Sequence, residues 1–202
     1  MKYDNIIFDI GGVLLEFSEK ELIEKYFDQC TPETYAKVYK SMFDSGLWQH
    51  MDRGDLDEEG MIDAVSSLLS SSSFNISVRN MIVNYFETML PLPTNEFIPL
   101  LKLKGKKIYI LSNAPLAFHK EIHRIPYVDL IDGIFLSSDY HLLKPQPEIY
   151  HKFLERFNLK AEKCFFIDDM QANIQGAADV GIAGYCLKDK NFKELGLILE
   201  LD

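Results

Sequence analysis

The sequence predicts an α/β protein in which a parallel sheet is flanked by helices, with a small all-helical cap inserted after the first strand. The first observation is a set of short, nearly continuous apolar runs, typical of strands that are buried on both faces. The second is that helix-length segments separate most of these runs, and such alternation favours a parallel sheet. The third is a long stretch after the first run that offers only helical periodicity and turn signals.

Five apolar runs are the candidate strands, and the third in chain order is the weakest. They are rich in Ile, Val, Phe and Tyr and have the length of strands. Their ranges are 5–10, 107–112, 133–136, 164–167 and 184–187. Three segments between or after them have the length and pattern of helices, at 116–124, 148–157 and 171–180. Gly181 follows the last of these as a helix stop signal.

The cap is predicted to occupy residues 17–90, and the core residues 1–16 and 91–202. Thr31 followed by Pro32 reads as the start of one cap helix. Asp55, with Glu58 three positions later, reads as the N-cap of another helix that extends to residue 70. Pro91 and its neighbours mark the return of the chain to the core.

Composition and charge exclude several function classes. The chain of 202 residues has a formal net charge of -10, which repels a phosphate backbone, so no nucleic-acid partner is expected. The first ten residues contain neither a secretory signal nor a membrane span, which favours a cytoplasmic protein with no membrane partner. Cys30, Cys164 and Cys186 lack the spacing of a zinc or redox site and are interpreted as reduced thiols. The oligomeric state is left open.

Polar residues stand where the predicted strands end. The carboxyl ends of parallel strands share one edge of a sheet, and ligands of open α/β sheets bind there. These residues are Asp9 after the first run, Ser112 and Asn113 after the second, Lys144 before a proline, and Asp168 and Asp169 after the fourth.

Together these residue types match the needs of phosphoryl transfer. That reaction requires a nucleophile, positive charge on the non-bridging oxygens and donors that hold the group still. A carboxylate such as Asp9 can form an aspartyl phosphate. Asp168 and Asp169 gather further negative charge, which a hard cation such as Mg²⁺ would offset. Lys144 supplies a point charge, and the Ser112 hydroxyl a hydrogen bond.

Four motifs resemble the haloacid dehalogenase superfamily. They are FDIGGVL around Asp9, LSNA around Ser112, KPQPEIY from Lys144 and FIDDMQANIQGA around Asp168, in the family's order and over almost the whole chain. The chain is most similar to the subgroup that contains α-D-glucose-1-phosphate phosphatase and the phosphatase domain of soluble epoxide hydrolase. The cap segment GLWQHMDRGDL and the DDxxAN pattern carry that finer resemblance.

The resemblance implies a Rossmann-like catalytic core and a Mg²⁺-dependent phosphatase that acts on a small phosphorylated metabolite. It implies that Asp9 is the nucleophile and a metal ligand, and that the Gly11 carbonyl is a second ligand. Asp169 matches the metal-binding acid, with Asp168 beside it as an indirect or water-mediated partner. Ser112 and Asn113 would hold the phosphate, and Lys144 would stabilise its charge.

Gly11 is the departure from the family pattern. Most phosphatases of the superfamily carry a second Asp two positions after the nucleophile as general acid and base, where this chain has Gly11. Loss of such a proton donor costs about 10² to 10⁴ in rate. We therefore expect a substrate with an acidic leaving group, such as a sugar 1-phosphate, an acyl phosphate or an aryl phosphate, or else a proton donor from the cap.

Two other functions remain open at this point. Gly11 also fits a catalytically weakened phosphate-binding or regulatory protein. A 2-haloacid dehalogenase is less favoured, because such enzymes work without metal and would not use the pair formed by Asp168 and Asp169.

Several cap and helix residues admit two interpretations. His50, Asp52 and Arg53 either face the substrate or form a surface turn, and the sequence favours neither. Three apolar residues are expected to pack the cap interior rather than to contact substrate: Phe43, Leu47 and Trp48. His119 and His123 have the spacing of a zinc pair but lack the accompanying Glu, so a metal role is not expected.

Overall fold

The sheet has the parallel arrangement that the sequence predicts. The computed structural model describes residues 2–27, 30–70 and 74–201. The strands of this part of the chain are β1 (Asn5–Phe8), β2 (Lys107–Ser112), β3 (Gly133–Leu136), β4 (Cys164–Asp168) and β5 (Ala183–Cys186). They form one five-stranded sheet in the order β3-β2-β1-β4-β5, and every pair is parallel. The predicted fold class is confirmed, with the first strand at the centre of the sheet.

The burial of β1 explains why its sequence is a continuous apolar run. All its residues are buried. Successive side chains of a strand point to opposite faces, and accordingly Ile6 and Phe8 join one hydrophobic cluster while Ile7 joins a second on the other face. A strand that is covered on both faces has no solvent side, so it has no place for alternating polar residues.

The cap lies between β1 and β2 in the chain and is helical throughout its described residues. Its helices are α1 (Glu19–Tyr26), α2 (Pro32–Tyr39), α3 (Leu47–Asp52), α4 (Glu58–Leu69) and α5 (Asn75–Val83), with a π-helical turn at Lys40–Asp44. The Thr31 hydroxyl caps α2 by accepting from the Thr34 N–H, as its position before Pro32 predicts. Apolar residues of the cap, such as Leu22 and Met42, belong to the same hydrophobic cluster as Ile6.

The core helices cover the sheet. They are α6 (Phe97–Leu103), α7 (Pro147–Phe157), α8 (Gln171–Asp179) and α9 (Phe192–Ile198). Helices α7 and α8 agree with the predicted segments to within one residue at each end. The division into core and cap at residues 16 and 91 stays a prediction.

Two predicted local structures are wrong. The N-cap of α4 is Asp57, whose carboxylate accepts from the Gly60 N–H at 2.8 Å. Asp55 is instead bound by the Arg53 guanidinium, with Nε at 2.5 Å. The predicted helix at 116–124 is two 3₁₀ turns, Leu116–Lys120 and Ile122–Arg124. Pro126 disfavours a helical conformation of the residue before it, Ile125, which is extended and ends the second turn.

Among the described residues, no helix is both long enough and apolar enough to cross a membrane.

The fold predicts opposite effects for alanine at two helical glycines. A Cβ on Gly176 of α8 would lie 2.5 Å from the Pro145 carbonyl oxygen, whereas a Cβ on Gly196 of α9 would meet nothing closer than 3.7 Å. Gly196→Ala should therefore gain up to about 1 kcal/mol from helix propensity. Gly176→Ala should lose about 1 to 3 kcal/mol because main chain must move. Urea denaturation of both variants checks this, and equal effects would contradict the packing described here.

Candidate active site

A cavity of about 680 Å³ lies where the carboxyl ends of β1, β2 and β4 meet the cap. Its floor includes Asp9, Ser112, Lys144 and Asp169, and its opposite wall comes from the cap. The sheet topology explains this convergence, because β2 and β4 are the two neighbours of β1. The structure thus brings together the strand-end residues that the sequence singles out.

Lys144 lies at the floor of the cavity between two carboxylates. Its Nζ is 2.8 Å from Asp9 Oδ1 and 2.7 Å from Asp168 Oδ2. The lysine side chain is 1% exposed and that of Asp168 is 0% exposed, so water does not screen these ion pairs. Asp9 Oδ1 is buried, and its pair with the Lys144 ammonium lowers the pKa of Asp9.

Asp168 is held by several donors at once. Besides Lys144, it accepts from the Met170 N–H at 2.8 Å and from Asn173 Nδ2 at 3.0 and 3.1 Å. Asn173 lies on α8 and is itself buried. Both oxygens of Asp168 therefore already have hydrogen-bond partners. This carboxylate is better suited to position Lys144 than to contact a ligand directly.

The side chain of Asn113 fixes the main chain of Lys144. Its Oδ1 accepts from the Lys144 N–H at 2.9 Å, and its Nδ2 donates to the Lys144 carbonyl at 3.1 Å. The Lys144–Pro145 peptide bond is cis. Ser112 is buried, and its hydroxyl makes a long contact of 3.5 Å to the Asn113 carbonyl and a hydrogen bond to Asp9 that lowers the pKa of this carboxyl group. Because the Asn113 side chain is bound to the Lys144 main chain, the Ser112 hydroxyl is the freer of the two predicted phosphate ligands.

Three carboxylates make the floor suitable for a divalent cation. One oxygen each from Asp9, Asp168 and Asp169 lies within 4.8 Å of the others, and no other such group of metal-ligand side chains occurs in residues 2–27, 30–70 and 74–201. Oxygen donors of this kind suit Mg²⁺. Gly12 has φ of +69°, and a Cβ there would lie 2.4 Å from Asp169 Oδ2, so a glycine is needed to bring the main chain of this loop against that acid.

The cap wall of the cavity is aromatic. Trp48 is the centre of the cluster, with ring centroids 5.2 Å from Phe43, 5.6 Å from Phe17 and 5.4 Å from Tyr85. Phe43 and Trp48 both pack against the hydrophobic core and line the cavity, whereas Leu47 only packs. Phe43 and Trp48 therefore pack in the cap as predicted and are also placed where they could contact a ligand.

The charged residues of the cap divide between the cavity and the surface. Asp52 is buried and lines the cavity. His50 and Arg53 instead contact Asp55 at the surface, with His50 Nδ1 3.3 Å from Asp55 Oδ2. Asp52 thus faces the cavity, whereas His50 and Arg53 belong to a surface turn.

The two histidines of the 3₁₀ turns do not form a pair. His119 Nε2 lies 2.8 Å from Asp139 Oδ1, and His123 Nδ1 lies 2.8 Å from the Lys120 carbonyl. The three cysteines are free thiols.

Comparison with known proteins assigns the family. The sequence model of the haloacid dehalogenase-like hydrolases matches residues 3–181. The chain belongs to this family. Among its relatives are a sesquiterpene phosphatase of Aspergillus oryzae, 27% identical with 91% of this chain and 89% of the relative covered, and a D-ribitol-5-phosphate phosphatase of Bacteroides thetaiotaomicron, 22% identical with 88% of each covered.

A solved structure shows the same fold. It is a haloacid dehalogenase family enzyme of Bacteroides thetaiotaomicron in complex with magnesium and inorganic phosphate. The TM-score is 0.72 at 23% identity, with 91% of this chain and 93% of the other covered.

Burial dominates the electrostatics of this haloacid dehalogenase-like hydrolase. It raises the pKa of Asp9 to about 7, against the attraction of Lys144 and with the repulsion of Asp168. Burial and then the negative charge of Asp9 raise the pKa of Asp52 to about 8. Burial lowers the pKa of Lys144, but the carboxylates of Asp168 and Asp9 outweigh it and raise that pKa above its usual value. Burial thus disfavours the charge of Asp9 and Asp52, whereas Lys144 keeps its charge.

Sequence reasoning missed two features of the site. Asn173 lies inside a quoted motif, but its bond to Asp168 depends on the first turn of α8 and was not predicted. Tyr85 lines the cavity with a buried hydroxyl that has no partner among the described residues, and no local pattern marks it. An aromatic residue in a cap helix gives no signal that separates packing from contact with a ligand.

Removal of the buried lysine should destabilise the fold strongly. Lys144→Met leaves Asp9 and Asp168 without their cation, which should cost about 3 to 5 kcal/mol of the free energy of unfolding in metal-free buffer. Lys163→Met is the control, since its pair with Asp4 is half exposed and should be worth about 0 to 1 kcal/mol. Urea denaturation compares them, and similar losses would refute a structural role for the Lys144 ion pairs.

Asp52 should make stability depend on pH. Its pKa is raised in the folded state, so the folded protein binds more protons than the unfolded chain between about pH 4 and about pH 8. The contribution of this carboxyl group is full below about pH 4 and is lost as the pH rises through about 8. From about pH 5 to about pH 8, the wild type should lose more stability than Asp52→Asn, by on the order of a few kcal/mol. Parallel slopes in urea denaturation would show that the environment of Asp52 does not disfavour its charge.

Proposed function

We propose that the protein is a Mg²⁺-dependent phosphatase that hydrolyses a small phosphomonoester through an aspartyl-phosphate intermediate on Asp9. The observation that carries the proposal is the placement of Asp9 at the floor of the cavity, beside the buried cation of Lys144 and within the carboxylate cluster. A nucleophile with fixed positive charge beside it meets the main demands of phosphoryl transfer.

In the first step, an Asp9 oxygen attacks phosphorus and the bond to the leaving oxygen breaks. In the second step, water attacks the phosphorus and releases inorganic phosphate. Lys144 offsets charge on Asp9 and on the phosphoryl oxygens, since its position is fixed by Asp168 and Asn113. The Ser112 hydroxyl donates to a phosphoryl oxygen, and Asn113 acts through its main-chain N–H, because its side chain is used to hold Lys144.

The residues that would hold Mg²⁺ are Asp9, the Gly11 carbonyl and Asp169, with Asp168 behind them. When bound, Mg²⁺ neutralises negative charge on the transferred group. The fit rests on the carboxylate cluster, whose three acids outnumber the single buried ammonium of Lys144. Burial raises the pKa of Asp169 as well as that of Asp9, so without a cation the floor resists negative charge on both.

For the organic part of the ester we propose a sugar phosphate as the first candidate. Sugar rings stack on aromatic faces, and the cap wall offers Phe43 and Trp48. A terpenyl monophosphate is the second candidate, because that wall is mostly apolar and one relative is a sesquiterpene phosphatase. Polar side chains at the cavity, such as Gln49 and Asp44, favour the sugar.

Turnover separates this proposal from a weakened phosphate-binding protein. Asp9→Asn keeps the shape of the side chain but removes the nucleophile, so phosphate release should fall by at least about 10³-fold. Release by the wild type should also stop when EDTA removes divalent cations. Asp4→Asn is the matched control, because Asp4 lies at the opposite end of β1 in a half-exposed pair with Lys163.

The assay should include a sugar 1-phosphate, a sugar phosphate with an ordinary alcohol leaving group, a terpenyl monophosphate and an aryl phosphate. If the wild type releases phosphate from none of these esters, the binding-protein interpretation is favoured. If Asp9→Asn remains active, the mechanism is wrong even if the activity stands.

A further inference from the structure

The loop beside the nucleophile leaves a space where a proton donor is missing. Gly11 lines the cavity, and a Cβ built on it would meet only the Phe17 Cβ, at 3.8 Å. No side chain from this loop fills the space next to Asp9. The cap forms the opposite wall of the cavity and is the other source of a side chain that could protonate the leaving oxygen.

Asp52 is the cap residue whose position fits this role. It is the last residue of α3, is only 9% exposed and lines the same cavity as Asp9. Its carboxyl group has no hydrogen bond or ion pair with any residue that the structure describes. A buried carboxyl group without a partner is costly. Such a group is expected where a ligand completes its interactions.

The main chain of Asp52 is tied to the phosphate side of the cavity. The buried Ser137 hydroxyl donates to the Asp52 carbonyl at 2.5 Å and accepts from the Ala114 N–H at 2.9 Å. Ala114 directly follows Ser112 and Asn113. One serine therefore connects the cap residue to the loop that is proposed to hold phosphate, which fixes Asp52 relative to the reacting group.

We propose that Asp52 is the general acid and base of the reaction and replaces the acid that Gly11 lacks. The inference rests on the proposed phosphatase function and adds a catalytic residue to it. As Asp9 attacks phosphorus, the Asp52 carboxyl group gives its proton to the leaving oxygen, and the alcohol departs. Asp52, now a carboxylate, then takes a proton from the water that attacks the phosphate on Asp9. Inorganic phosphate leaves, Asp9 is restored and Asp52 is again protonated.

The surroundings of Asp52 suit both halves of this cycle. Burial in the cavity raises the pKa of Asp52, so its carboxyl group holds a proton more tightly than an exposed aspartate does. A pKa near the working pH is what acid and base catalysis by one group requires. The positive charge of Lys144 lowers the pKa of Asp52 and so helps to stabilise its carboxylate after the first step.

Tyr85 is the competing donor. Its hydroxyl is buried, lacks a partner among the described residues and lines the same cavity. Burial and the charge of Asp52 raise its pKa well above the ordinary value for tyrosine. Such a hydroxyl releases a proton less readily than Asp52 does, so we assign Tyr85 to contact with the substrate.

The dependence on leaving group tests the inference. Phenyl phosphate and 4-nitrophenyl phosphate have similar size and charge, but 4-nitrophenol is much the stronger acid and needs no protonation. Asp52→Asn should lower kcat/KM for phenyl phosphate by about 10² to 10⁴, and for 4-nitrophenyl phosphate by less than about tenfold. The variant should also release one equivalent of 4-nitrophenol in a rapid burst, because hydrolysis of the phosphate on Asp9 lacks its base.

Two variants serve as comparisons. Asp63→Asn removes an exposed acid of α4 and should leave both rates unchanged. Tyr85→Phe should lower both rates to the same degree. Circular dichroism and urea denaturation verify that Asp52→Asn folds, and Asn should be tolerated because it replaces a carboxyl group whose charge is disfavoured by burial.

Each result decides the matter. An equal loss of kcat/KM for both esters in Asp52→Asn would overturn the role of Asp52. A loss in Tyr85→Phe that is confined to phenyl phosphate would overturn it as well. In either case, turnover by the wild type would still support the proposed phosphatase. Absence of phosphate release by the wild type would overturn both proposals together. A selective loss with a burst supports Asp52 as the group that moves the proton.

Discussion

The buried contact of one ammonium with two carboxylates is the interaction on which the rest of the site depends. Lys144 joins Asp9 at the end of β1 to Asp168 at the end of β4, and Asn113 after β2 holds its main chain. Desolvation of three charges is costly and is tolerated only when geometry and further hydrogen bonds compensate. Asn173 and the first turn of α8 supply those bonds to Asp168. The ion pairs and hydrogen bonds of Lys144 thus hold the ends of β1, β2 and β4 together, in addition to the hydrogen bonds of the sheet.

The core and the cap contribute different chemistry to the cavity. The core supplies charge and hydrogen-bond donors at fixed positions. The cap supplies apolar surface and three carboxyl groups, Glu19, Asp44 and Asp52, of which only Asp52 is buried. Asp9 and Gly11 are neighbours in the chain, whereas Asp52 reaches the same space from an insertion. If Asp52 moves the proton, the acid that is absent at Gly11 is replaced by one from the cap, the segment whose aromatic wall faces the same cavity. Substrate choice and proton transfer would then change together when α3 changes.

The fold and the floor of the site could be predicted because both follow from local patterns. Strands covered on both faces leave continuous apolar runs, and a parallel sheet gathers the residues that follow them, such as Asp9 and Asp168. The position of Asp52 could not be predicted, because it depends on a hydrogen bond from Ser137, which lies 85 residues away in the chain. The sequence predicted Asp55 as the N-cap of α4, but its carboxylate is bound by the Arg53 guanidinium and Asp57 caps the helix instead.

The hydrophobic cluster that includes Ile6 of β1 and Leu22 and Met42 of the cap has a consequence for how substrates enter. The apolar residues of the two parts form one continuous cluster, so a rotation of the cap away from the sheet would break contacts within it. Exposure of apolar surface costs about 25 cal/mol per Å². We therefore expect esters to enter and alcohols to leave through the mouth of the cavity while the cap stays seated, which makes the width of that mouth a limit on substrate size.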